Sequence, residues 1–180
     1  MKLVAAFLGT ALLAALAAPE LPRYSAERRV GWATAAFQQL LDSSQPQQGG
    51  DTLRRLQAVG EMALSTTTAL PGDPRPWMIG ASSYLVTGQP QRALDFYRAA
   101  LGTGERSEID LNLGRAYAGL NRRDASDAAL LRAGWISPEI LSSLPRPSRD
   151  ALLVKIADLD ADLRAGRLAA PPPLPEDALH

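Results

Sequence analysis

Displacing the chain by 33 residues lays it back on itself: Ala81 falls on Gly114, Tyr84 on Tyr117, Gly88 on Asn121, Ala93 on Ser126, Tyr97 on Leu130 and Ala100 on Ala133. A fixed period of this length marks a chain built from repeated supersecondary units, each too small to bury its own apolar face. One period holds two helical stretches, Pro76 to Thr87 and Gln89 to Leu101, and the second copy repeats them as Ser107 to Gly119 and Arg122 to Ala133. Gly, Asn and Pro punctuate the breaks, as residues that stop helices. The paired positions divide by size. Ala81, Gly114, Ala93 and Ser126 let antiparallel helices approach closely, while Tyr84, Tyr117, Tyr97 and Leu130 fill the gaps between them. This is a packing code, and the expected fold class is all-α.

The flanks continue it. Val30, Ala33, Phe37, Leu40 and Leu41 recur at helical spacing until Ser43 to Gly50, with Pro46 and several Gln, interrupts them. A second stretch opens at Asp51, an N-cap, and carries Leu53, Leu56, Ala63 and Leu64 as far as the Thr run before Pro71-Gly72. Downstream, Ser148 is expected to cap a helix with Leu152, Ile156, Leu159 and Leu163 on one stripe, stopped by Gly166. Such a helix, apolar inside and charged outside, closes the end of a stacked core. The expected organisation is a leader over 1–17, a helix and Gln/Gly-rich linker over 18–50, and a second flanking helix and loop over 51–73. Two repeats over 74–138 follow, then a capping helix over 139–167 and an extended, mobile Pro-rich tail over 168–180.

The repeat resembles the tetratricopeptide repeat, whose unit reads Trp-x2-Leu-Gly-x2-Tyr, then Ala-x3-Phe, then Pro. Trp77, Gly80, Ala81 and Tyr84 match or approximate its first helix, and Ala93, Tyr97 and Ala100 its second. In the next copy Leu113-Gly114-x2-Tyr117 is followed by Ser126, Leu130, Ala133 and Pro138. Gly80 stands where Leu is usual, Asp110 where Trp is usual, and the period of 33 falls one short of the family's 34, which suggests a tightened link near Gly102 to Glu105. Trp32-x2-Ala35-Ala36 echoes the first-helix signature upstream, although Gln39 replaces the Tyr. The resemblance implies a right-handed superhelical stack of antiparallel helix pairs, a TPR-like α-solenoid of about seven or eight helices.

It also implies a binding face. First helices line a concave groove in that family, and carrying the positions over gives Arg75, Met78, Ser82 and Leu85 in one copy and Glu108, Leu111, Arg115 and Ala118 in the next. The spacings 78, 82, 85 and 108, 111, 115, 118 keep each group on one helical face. The lining is mixed, with Arg75 at the edge and Arg115 at the centre. Met78 and Ser82 occupy the places of the Lys and Asn clamp that some members use for a carboxylate. The other reading is that these residues are merely solvated, or covered by the N-terminal hairpin.

Composition narrows the chemistry. The 180 residues contain 19 basic and 19 acidic side chains, no Cys and one His, at position 180. That removes disulfides, zinc fingers, thiol nucleophiles and a core Ser-His pair, and zero net charge disfavours a nucleic-acid partner. Asp158-x-Asp160-x-Asp162 imitates a calcium loop, but Leu163 stands where the loop needs Gly and no Glu closes it. Gly102-x-Gly104 has neither the strand nor the Lys of a phosphate loop. The acidic pairs Glu105 with Glu108 and Asp124 with Asp127 sit at helix starts, where carboxylates complement the dipole. No catalytic residue, metal or cofactor is expected.

Met1-Lys2 followed by the apolar stretch Leu3 to Ala18 reads as a secretory signal, with cleavage after Ala17 in Ala15-Leu16-Ala17. The alternative is an uncleaved N-terminal anchor. The stretch is short of the roughly 20 residues that span a bilayer, so no integral span is expected after cleavage. The expectation is a periplasmic, non-catalytic scaffold or adaptor that binds a segment of another envelope protein. The alternative is a structural accessory subunit of an envelope secretion, polysaccharide or cell-wall assembly.

Overall fold

The computed structural model describes residues 20–42 and 49–179. The leader expected over 1–17 lies outside them, as does most of the Gln-rich break. The described residues form seven α-helices: α1 (Glu20–Asp42), α2 (Gly49–Leu64), α3 (Pro74–Val86), α4 (Pro90–Leu101), α5 (Ser107–Gly119), α6 (Arg123–Ile136) and α7 (Arg146–Arg164). Two 3-10 turns, Pro138–Ser143 and Glu176–Leu179, complete them, and no strand occurs among the described residues. Each helix from α1 to α6 packs on its neighbours in the chain, and the alternate helices α1, α3 and α5 also touch in a row.

The 33-residue period reappears in the backbone. Gly88 and Asn121, its equivalent, both take positive φ, 76° and 59°, a conformation that glycine adopts freely and asparagine tolerates. The amide after each bonds back alike, Gln89 N to Tyr84 O at 2.8 Å and Arg122 N to Tyr117 O at 3.0 Å. Between helices, the Ser126 hydroxyl donates to Gly114 O at 2.9 Å, and a Cβ added to Gly114 would lie 2.6 Å from Leu130 Cγ. The small residue is what lets α5 and α6 meet. Gly80, irregular against the tetratricopeptide pattern, has a similar cause: a Cβ there would lie 2.5 Å from Cγ of Leu64 on α2. Ala81, Tyr84, Ala93, Tyr97, Ala100 and Tyr117 are all buried in one core, with Phe96 stacked between Trp77 and Tyr84.

The N-terminal hairpin has its own core of Ala26, Val30, Ala33, Phe37, Leu56, Val59 and Ala63, closed by Leu70 and Ile79. Leu41 and Leu53, expected on its inner stripe, are exposed. At the other end, α7 starts at Arg146 rather than at a Ser148 cap, because Pro145 and Pro147 already suit a helix start. Of its stripe, Leu152 is buried but Leu163 is 45% exposed. The helix packs on α6 and the Pro138–Ser143 turn, which leaves its far turns uncovered.

The tail departs most from expectation. It is not a free end: Pro172 and Ala178 are buried, and Leu174 packs on the repeat core. Asp177 is ion-paired with Arg98 of α4 and with Arg122, at 2.5 and 2.7 Å. Prolines forbid a helix over 171–175 but leave the segment extended, and so able to lie along a surface.

Candidate partner-binding surfaces

The row of first helices is the surface indicated by the sequence, and the structure divides its residues into two groups. Arg75, Glu108 and Ala118 are exposed. Met78 and Leu85 are half-buried against the repeat core. The Ser82 hydroxyl is 2.8 Å from the Tyr97 phenol, whose proton burial pushes up to about 12, so that hydroxyl is committed to the core. Leu111, expected on the free face, is only 4% exposed and is a correction to that face. The cause lies beside it, where the unforeseen Pro138–Ser143 turn crosses α5. One helical turn past Leu111, Arg115 donates to Asn112 Oδ1 at 3.0 Å and to Ser143 Oγ at 2.8 Å.

Where the row stays open, a cleft of about 600 Å³ forms between α1, the loop before α3, and the start of α5. Arg23, Glu27, Asp73, Arg75 and Arg106 give it charged walls, and Ala69, Leu70 and Pro71 line it too. Asp73 is the N-cap of α3, accepting from the Arg75 amide at 2.9 Å while its carboxylate also holds the Arg75 guanidinium. Burial raises the Asp73 carboxyl, but the bonds from Arg75 outweigh it and leave it below its ordinary value. Arg106 adds its charge to this cleft and helps to hold the Asp73 carboxyl down. Sequence reading missed this assembly, because its charges come from three segments with no common spacing.

Two further groups were also illegible. Asp110 is fully buried in α5, and among the described residues no donor reaches either of its carboxylate oxygens. Burial and the negative charge of Glu105 push its carboxyl up to about 7. A retained proton supplies the donor that two facing carboxylates lack. Glu105 is itself bound by both arms of Arg132, at 2.5 and 2.7 Å, which hold it below the usual carboxylate range. The other group is the seat of the tail, where Arg98, Tyr117 and Arg122 surround Asp177.

No group of His, Cys, Asp and Glu among the described residues is arranged to hold a metal ion, and no described helix is long and apolar enough to cross a membrane. On α1, Tyr24 (63% exposed) and Trp32 (56%) face solvent, and Trp32 lies beside the partly exposed Met62 of α2. No protein-family model, curated protein or solved structure matches this chain.

Proposed function

We propose that this chain is an exported, TPR-like scaffold or adaptor, without catalytic activity, that holds a segment of another envelope protein against its row of first helices. The observation that carries the reading is the open cleft at the head of that row, with Arg75 and Arg106 in its wall. A cleft walled by α1, α3 and α5 together suits an extended segment better than a compact small molecule, because its charged walls come from separate elements of the stack. In this reading the helix pairs wind into a right-handed superhelix. The contact of alternate first helices and the identical turns at Gly88 and Asn121 support it.

The test is capture of the partner from envelope extract with the full chain, then calorimetry on the purified pair. Arg106→Glu should weaken binding, by on the order of 2 kcal/mol for a desolvated contact, with melting temperature nearly unchanged. Full affinity in that variant would move the interface elsewhere. A second reading, a built-in accessory subunit, is favoured by the exposed apolar patch of Trp32 and Met62 on the N-terminal hairpin. Light scattering separates the two, since a groove binder stays monomeric and a subunit seated through that patch self-associates.

A further inference from the structure

The tail is seated in a site of recognisable chemistry. Arg98 Nη2 and Arg122 Nη1 donate to Asp177 Oδ2 at 2.5 and 2.7 Å, and the Tyr117 hydroxyl donates to Oδ1 at 3.0 Å. The donors come from α4, from α5 and from the turn after it, and lie 55 to 79 residues away along the chain. Next to this cradle Ala178 inserts into the repeat core at 2% exposure, and Leu174 packs on the same core from the other side of Asp177. Further along, Arg132 of α6 donates to the Pro172 carbonyl at 3.3 Å. The tail is therefore read at an acid and a small apolar residue in its final 3-10 turn, and at a backbone carbonyl in the extended stretch before it.

We propose that Arg98, Tyr117 and Arg122 form a second peptide-binding site, on the second-helix side of the repeats, for a segment in which an extended, proline-containing stretch leads into a short turn bearing an Asp followed by a small apolar residue, and that the chain's own tail occupies it in competition with such a segment of a partner protein. It does not depend on the first-helix cleft. Charge complementarity selects the occupant: two guanidiniums and a phenol converging on one carboxylate discriminate strongly for an acid.

The tail is held in a way that allows exchange. Its fully inserted groups are only the Pro172 ring and the Ala178 methyl, while Leu179 remains exposed. Few buried apolar contacts mean a low free energy of local opening. Its tether, with Gly166 at φ 68° and a run of three prolines, has no regular secondary structure before the final turn. A tethered occupant acts at an effective concentration of millimolar order, so an external segment binds weakly until the tail is weakened.

The experiment uses the full chain and a fluorescent synthetic peptide spanning residues 169–179, followed by anisotropy. Asp177→Lys, which repels its own tail from the two arginines, should bind the peptide at least about tenfold more tightly than the unaltered chain. Adding Arg98→Glu and Arg122→Glu to that variant should abolish the gain. A peptide with Asn in place of Asp should bind far less well, and rising salt should weaken the matched peptide. Asp177→Asn provides a milder form that retains the shape of the tail, with the same order of effects. Equal peptide affinity for the unaltered chain, Asp177→Lys and Asp177→Asn, with matching circular dichroism spectra, would overturn the proposal and leave the tail a fixed structural strap. A gain that survives the arginine reversals would overturn it too.

Discussion

Replacing Asp110 by Asn should make the protein more stable at pH 8, and less so at pH 5. Asp110 is fully buried, with no donor to either oxygen among the described residues, and its carboxyl titrates near 7 against 3.8 for an ordinary aspartate. From pH 3.8 up to about 7 the unfolded chain has released a proton that the folded chain retains. Rising pH therefore favours unfolding across that window, and above it the penalty is constant. A difference of about three pKa units corresponds to at most about 4 kcal/mol. Between pH 5 and pH 8 about two of those units apply, at most about 3 kcal/mol, and local relaxation offsets part of it, so the expected effect is about 1–3 kcal/mol. Asp110→Asn preserves the shape, cannot ionise and offers an amide donor toward Glu105. Urea unfolding of both proteins at pH 5 and pH 8 reads the effect, with the slope unchanged. The variant's advantage should be larger at pH 8 by that 1–3 kcal/mol. Asp73, Glu105 and Asp177, held below their ordinary values, contribute stability that is lost only as pH falls through those lowered values, outside the window. The same midpoint difference at both pH values would refute the reasoning, because Asp110 would then ionise as a solvated carboxylate does.

Other outcomes follow from packing. Tyr117→Ala should cost about 3–5 kcal/mol in urea unfolding, as for an aromatic removed from a core, whereas Tyr117→Phe, which loses only the hydroxyl bound to Asp177, should cost about 1 kcal/mol. Gly114→Ala gains about 1 kcal/mol of helix propensity but drives a methyl into Leu130, so a net loss of about 1–2 kcal/mol is expected. Leu130→Ala in the same chain should cost less than its effect alone, and strict additivity in the double-mutant cycle would count against the contact. Intact-mass measurement of protein from the cell envelope should find residues 1–17 removed, and a retained Met1-Lys2 end would count against cleavage.

Much of the repeat was legible because its determinants are local. Helical periodicity, the size of Ala81, Gly114, Ala93 and Ser126, and a turn residue able to take positive φ at 88 and 121 act over a few residues, so the sequence by itself determined the helix pairs, their breaks and their register. The sequence also ruled out thiol chemistry and disulfides outright, through the absence of Cys. What it did not determine depends on partners far apart in the chain. Leu111 has the spacing of a free face, but it is buried where the Pro138–Ser143 turn crosses α5. The irregular Gly80 acquires its reason only from Leu64 of another helix. Seventeen arginines scattered along the sequence carry no sign that Arg98 and Arg122 will meet on one carboxylate. The prolines exclude an α-helix over 171–175, as the structure has it, but a non-helical segment is free or docked according to the surface it meets. Only the tertiary structure decided that, because ion pairs and buried methyls are set by distances in space, across which residues separated by 55 to 79 positions become neighbours.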